Sequence, residues 1–243
     1  MQNIPVLFDI HTHSVASGHG SSDTITDMAR AASDASLQIL GISEHGPKTP
    51  GSAGSSYFRN LRLASRKRFG IMVLYGAELN ILNENGDVDL EDSLLYTLDY
   101  ALVGMHHPLF TSGSASSNTD ALIRSMKHPR VHFLAHPDDG RYPLDYERLF
   151  REAAKRQVYP EINNASLTPD AYRTDGPKNI RHILSVCKAI RLPVLLSSDS
   201  HGKTHIGDMR YILPLLHECD FPQSLILNTN PSLLLHILKK NND

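Results

Sequence analysis

The feature that most constrains the fold of this 243-residue chain is a repeated alternation of strand-like and helix-like patterns. Short β-branched or apolar runs, each followed by a loop and then an amphipathic stripe, predict strands at Val6–Ile10, Ile39–Ser43, Ile71–Ala77, Tyr100–Met105, Val131–Ala135, Val158–Ile162 and Val194–Ser197. Several are apolar almost throughout, as parallel strands covered on both faces must be. Between them, Ile25, Met28, Ala29 and Ala32 form a helical stripe behind a Thr24/Asp27 capping box. Leu149, Phe150, Ala153 and Ala154 mark a second helix. Ile180, Ile183, Leu184 and Cys187 mark a third, opened by Pro177, and Leu234, Leu235 and Leu238 a last one after Asn230-Pro231. Ser52–Ser56 and Ser112–Ser117 read as surface loops. The expectation is an α/β chain forming a closed or nearly closed barrel, with an open doubly wound sheet as the competing architecture, since element order does not settle closure. No boundary interrupts the pattern, and the length suits a single domain, 1–243.

Charge limits the partners. Twenty-four basic residues against 26 acidic ones leave a net charge of −2, which argues against a large nucleic-acid footprint. A small anionic substrate remains compatible, because bound metal ions would add positive charge. No apolar stretch approaches the roughly 18 residues of a membrane span, and Met1–Leu7 lacks the features of a signal peptide. Cys187 and Cys219 form no CxxC pair; both read as small apolar residues on helices in a reducing cytoplasm. A homo-oligomer stays open.

The 14 histidines are the unusual element of the composition. The first strand ends in Asp9-Ile10-His11-Thr12-His13, the second leads to Ser43-Glu44-His45, and the third runs into Glu78. His106, His136 and Asp199-Ser200-His201 follow later strands, and His19 lies in the first loop. Barrel enzymes carry their reactive groups at the C-terminal ends of strands, so these residues should converge on one mouth. Residues i and i+2 of an extended strand face the same side, which lets His11 and His13 bind one ion. A mixed imidazole and carboxylate set suits zinc first, with manganese or iron as alternatives.

These stretches resemble the signatures of the PHP (polymerase and histidinol phosphatase) superfamily. They are Asp9-Ile10-His11-Thr12-His13-Ser14, Gly41-Ile42-Ser43-Glu44-His45-Gly46, the isolated His106 and His136, and Ser198-Asp199-Ser200-His201. The likeness runs from residue 9 to about residue 235 and is greatest to the bacterial YcdX-type phosphatases. Gly76-Ala77-Glu78-Leu79-Asn80-Ile81, Glu161-Ile162-Asn163-Asn164 and Asn228-Thr229-Asn230-Pro231 support it.

The resemblance implies a distorted seven-stranded (β/α)7 barrel of PHP type with a trinuclear metal site. His11, His13, Glu78 and Asp199 would hold the first ion, and Glu78 would bridge to a second completed by His106 and His136. His19, His45 and His201 would hold the third. The implied activity is a metal-dependent phosphoesterase acting on a small phosphomonoester, with Glu78, Asp199 and His201 counted as catalytic. Metal ions lower the pKa of water to near 7, so an activated hydroxide would attack phosphorus.

Asp9 either orients a ligand histidine or caps its strand. Arg59, Arg62, Lys48 and Lys203 are candidate phosphate contacts, with Arg62 preferred because Phe58-x-Asn60-x-Arg62 resembles a family segment. His107 and His205 are candidate cavity residues; His128, His132, His182, His217 and His236 are expected on the surface or on helices. Three departures from the family pattern are Glu44 for an aspartate, His107 for an acidic residue and Asp138 for a glycine. A histidinol phosphatase or a PHP-type nuclease is the alternative within the family, and an amidohydrolase the nearest enzymatic rival outside it. Glu78 stands where the latter commonly has a bridging lysine. A non-catalytic metal-binding regulatory module is the rival of another class, and the full ligand set argues against it.

Overall fold

The computed structural model describes residues 4–240; residues 1–3 and 241–243, the ends of the expected single domain, lie outside the described residues. The seven predicted runs appear as Phe8–Asp9, Ile39–His45, Ile71–Asn80, Tyr100–Gly104, Val131–Leu134, Tyr159–Asn163 and Leu195–Ser197. They pair in chain order, every neighbour parallel. A short Lys67–Arg68 strand lies antiparallel on the start of the third.

The first and last strands are joined in two places. At the mouth, Thr12–His13 pairs in parallel with Ser200–His201. Lower down, the Asn228 amide donates to Phe8 O and Leu196 O at 2.8 Å each, and its oxygen accepts from Leu196 N at 2.7 Å. A buried side chain thus makes the links that a strand would otherwise make. The result is a nearly closed (β/α)7 barrel, and the open-sheet alternative falls.

Two apolar layers hold it. Inside the barrel, Phe8, Ile10, Leu74, Tyr100, Leu102 and Phe133 pack with Leu234, Ile237 and Leu238 of the last helix, Pro231–Lys240. Outside, Met28, Ala29, Leu149, Phe150, Ile183 and Leu184 pack the predicted helical stripes onto the sheet. Gly41 and Gly76 make room for Tyr100: a Cβ on either would come within 2.3 and 2.6 Å of its phenol. Tyr100 can then donate across the barrel to Ile10 O at 2.6 Å.

The two serine-rich segments are corrected. Helices Ser55–Asn60 and Ala115–Ser125 begin inside them, and Ser114 caps the second by accepting from Ser117 N at 3.1 Å. Small polar residues there are a helix cap and an exposed first turn. Cys187 is buried in helix Gly176–Ile190, whereas Cys219 is the half-buried residue that ends helix Ile212–Glu218. His132, expected on the surface or on a helix, is fully buried on the Val131–Leu134 strand. No helix among the described residues is long and apolar enough to cross a membrane.

Candidate metal centre

The second and third strands run further than their apolar cores, so His45 and Glu78 lie within them and face each other in register. Their side chains meet at 2.6 Å, His45 Nδ1 to Glu78 Oε2. His13 and His201 are likewise paired in register at the mouth. His136 and Asp199 turn away from their strand ends with φ of 28° and 54°. That left-handed backbone costs a non-glycine residue on the order of 1–3 kcal/mol and clusters at functional sites.

Three groups of ligand atoms result. In the first, His11 Nε2 lies 3.4 Å from Glu78 Oε2 and 3.5 Å from Asp199 Oδ1; His13 Nε2 lies 3.5 and 3.3 Å from the same two oxygens. A tetrahedral ion with bonds of about 2.0–2.1 Å needs ligand separations of about 3.3–3.4 Å. In the second, Glu78 Oε1 is 2.9 Å from His106 Nε2 and 2.7 Å from His136 Nε2, which are themselves 3.0 Å apart. Glu78 therefore serves both groups, one oxygen each.

In the third, His45 Nε2 and His201 Nε2 are 3.4 Å apart, and the histidine converging with them is His13. His19 is exposed, with its ring stacked on His45 at 4.8 Å and tilted against His201 at 5.1 Å. All nine residues expected as ligands thus gather at one mouth, His19 by ring contact.

The donor set fits cations. His11 Nε2 and His13 Nε2 are buried without a hydrogen-bond partner among the described residues, an arrangement that is expensive unless something else satisfies them. Burial alone would lower the His11 pKa, but Glu161, Asp199 and Glu78 outweigh it and hold the imidazole well above its ordinary value. Burial would raise Glu78, yet His11, His106 and His45 hold its carboxyl well below the usual range. Asp199 behaves likewise, with burial outweighed by His11 and Arg173. For His13, burial and the neighbouring His45 and His201 push the imidazole well down. The site strongly favours deprotonated carboxylates beside positive charge.

The supporting residues differ from those expected. Glu161 receives His11 Nδ1 at 2.5 Å and His136 N at 2.6 Å, so it orients the histidine that Asp9 was a candidate to hold. Asp9 instead accepts from Ser198 Oγ at 2.5 Å and Gly207 N at 2.9 Å, fixing the strand end; burial raises its pKa to about 6. Among the described residues, Glu44 hydrogen-bonds to Ser14 and Tyr57 and not to a ligand side chain. It accepts from Ser14 N at 3.1 Å and Tyr57 OH at 3.2 Å, and so anchors the turn that leads to His19.

Arg59, Arg62, Lys48 and Lys203 are exposed, and none lines the cavities at the mouth. The arginine that does reach the centre is Arg173, buried, 2.7 Å from Asp199. Glu161 lies in a stretch that carries the family resemblance, though no role could be read from it. Arg173 lies in a loop with no motif around it.

The centre opens onto a cavity of about 310 Å³ lined by His45, Glu78, His106, Arg173, Asp199 and His201. One neighbouring lobe of about 550 Å³ shares Asp199 and His201 and adds His205, Asp208, Arg210 and Tyr211. Another of about 240 Å³ shares His45, His106 and Tyr172 and adds Thr49, His107 and Arg141. His107 and His205 therefore line the mouth, as expected.

The PHP domain family model matches residues 9–167. A protein from Clostridium acetobutylicum with the name Probable phosphatase is 36% identical over 233 residues, 96% of this chain and 94% of its own. Its Clostridium novyi counterpart, of the same name, is 35% identical over the same shares. A histidinol phosphate phosphatase from Lactococcus lactis, solved with zinc, L-histidinol and phosphate, matches with a TM-score of 0.64 at 16% identity, over 89% of this chain and 95% of that one. A chain of an archaeal ribonuclease P complex with tRNA matches at 0.61 and 18% identity, over 96% and 90%. At those identities the two structures show a common fold. The family model and the clostridial relatives go further: the chain belongs to the PHP domain family.

Proposed function

We propose that this chain, a metal-dependent phosphatase by family, hydrolyses a small phosphomonoester at a centre of three divalent ions. His11, His13, Glu78 and Asp199 would hold the first ion; Glu78, His106 and His136 the second; His45 and His201, with His19, the third. The observation that carries this reading is the division of Glu78, whose two oxygens belong to adjacent ligand groups. Bound ions would supply two effects there: a lowered pKa for water and neutralisation of charge on a phosphate. Zinc suits the histidine-rich donor set first, with manganese or iron as alternatives.

The chain's own residues do the rest. Glu161 takes the Nδ1 side of His11 and leaves Nε2 facing Glu78 and Asp199. The open cavity admits a phosphate next to Glu78, Asp199 and His201, the residues assigned as catalytic. The lobes carrying His205 and His107 offer space for a leaving group on either side. The protein would act as a single domain in the cytoplasm.

The test is an aryl phosphate assay on chelator-stripped protein before and after zinc or manganese is restored. Turnover should vanish with the metal and return with it. Metal binding without turnover would overturn the enzymatic reading in favour of a regulatory module.

A further inference from the structure

We propose that Arg173 is a positioning residue of the metal centre: its guanidinium turns Asp199 so that Oδ1 faces the ligand histidines. This rests on the metal-centre reading above. Asp199 Oδ1 lies 3.3 Å from His13 Nε2 and 3.5 Å from His11 Nε2. Its other oxygen, Oδ2, accepts from Arg173 Nη2 at 2.7 Å and from Asn163 Nδ2 at 3.0 Å. Two fixed donors on one oxygen define the rotation of the carboxylate, on a residue whose backbone is already left-handed. A hydrogen-bonded partner behind a ligating carboxylate typically governs metal affinity in this way.

Arg173 is itself held. Nη1 donates to Ser166 Oγ at 3.2 Å, within the turn Asn164–Leu167 that Asn163 caps. One donor to Oδ2 therefore ends the Tyr159–Asn163 strand and the other lies in the connection that follows it. With one acceptor on each Nη, the guanidinium is held at both arms and its orientation toward Asp199 is fixed. Asp138, fully buried, is a second carboxylate within electrostatic reach of Arg173. The carboxylate that offsets the cost of burying this guanidinium is Asp199, at 2.7 Å.

Position and charge predict opposite signs. A cation beside a metal ligand repels the ion, so removing the charge alone would tighten metal binding. Removing an orienting partner loosens it, by about 10–100-fold in comparable sites. The experiment is competition for zinc between the protein and a chromophoric chelator, on wild type, Arg173→Gln and Arg173→Lys, with circular dichroism to confirm folding. Arg173→Gln should weaken the tightest zinc site about 10–100-fold, and Arg173→Lys, which keeps the charge and one donor, should recover part of the loss. If Arg173→Gln does not fold, the lysine variant carries the test with a loss of several-fold.

Unchanged or tighter zinc binding in whichever variant carries the test would overturn the proposal. So would unchanged zinc binding with weaker inhibition by inorganic phosphate, which would make Arg173 a phosphate contact. Failure of the wild type to bind zinc would instead remove the metal-centre reading.

Discussion

Glu161 Oε1 meets His11 Nδ1 at 2.5 Å, and its other oxygen accepts from the backbone N–H of His136 at 2.6 Å. One carboxylate without a place among the ligands therefore supports two residues that have one. Glu161→Gln keeps the size but gives up one acceptor oxygen and the negative charge that stabilises a donating imidazole. Zinc affinity should fall about 10–100-fold, with phosphatase activity falling alongside it at limiting zinc. Titration of activity against free zinc would show this as a shifted midpoint. An unmoved midpoint would mean that His11 is oriented by packing alone.

Metal content tests the ligand grouping. Fully loaded protein should contain about three divalent ions per chain by elemental analysis, given the ligand numbers usual for sites that keep an open position. Glu78→Ala should lose about two of them and all turnover, because its oxygens serve two groups. His236 is exposed on the last helix, and His236→Ala should leave both measurements intact. Equal losses in the two variants would point to general instability. His19→Ala should cost only the third ion.

Much of this centre could be read from the chain because the ligands sit at strand ends, where an apolar run stops and a histidine or carboxylate follows. His11, His13, His45, Glu78, His106, His136, Asp199 and His201 all obey that pattern. What could not be read depends on contacts between distant segments. Arg173 meets Asp199 across 26 residues, and nothing in its own loop marks it. Arg62 fits a family segment but points to solvent. Asp9 stands two residues from His11, yet the chain turns so that its carboxylate meets Ser198 and Gly207 instead. A closed or nearly closed barrel is expected from the alternation and the resemblance, but the means of closure, Asn228 reaching both Phe8 and Leu196, joins segments too far apart in the chain to be read.

His132 supplies a prediction about stability. It is fully buried, neither ring nitrogen has a hydrogen-bond partner among the described residues, and burial pulls its pKa down to about 4 from 6.5. The unfolded chain takes up a proton near 6.5, while the folded chain resists until about 4. More protons bound by the unfolded state means stability is lost as pH falls through that window and is fully present above it. The total is on the order of 3 kcal/mol. His132→Leu should remove most of this acid sensitivity, so urea unfolding of variant and wild type should diverge more at pH 4.5 than at pH 7.5. A gap that stays constant with pH would show that His132 does not contribute.

The last prediction concerns what enters the mouth. Polynucleotide binding depends on free lysine and arginine along a track, and its affinity falls steeply with salt. Each arginine lining the mouth has a carboxylate of its own: Arg173 with Asp199, Arg141 with Asp139, and Arg210 with Asp208. Their charges are largely balanced within the protein, leaving little to hold a phosphate backbone. The cavity of about 310 Å³ at the ligands is enough for a phosphate and part of its leaving group. A small phosphorylated metabolite should therefore be hydrolysed faster than single-stranded DNA, with little dependence on salt for the small substrate. Parallel assays at 50 and about 200 mM salt would check both points. Rapid, strongly salt-sensitive degradation of DNA would place the chain among the PHP nucleases while leaving the ligand groups as described.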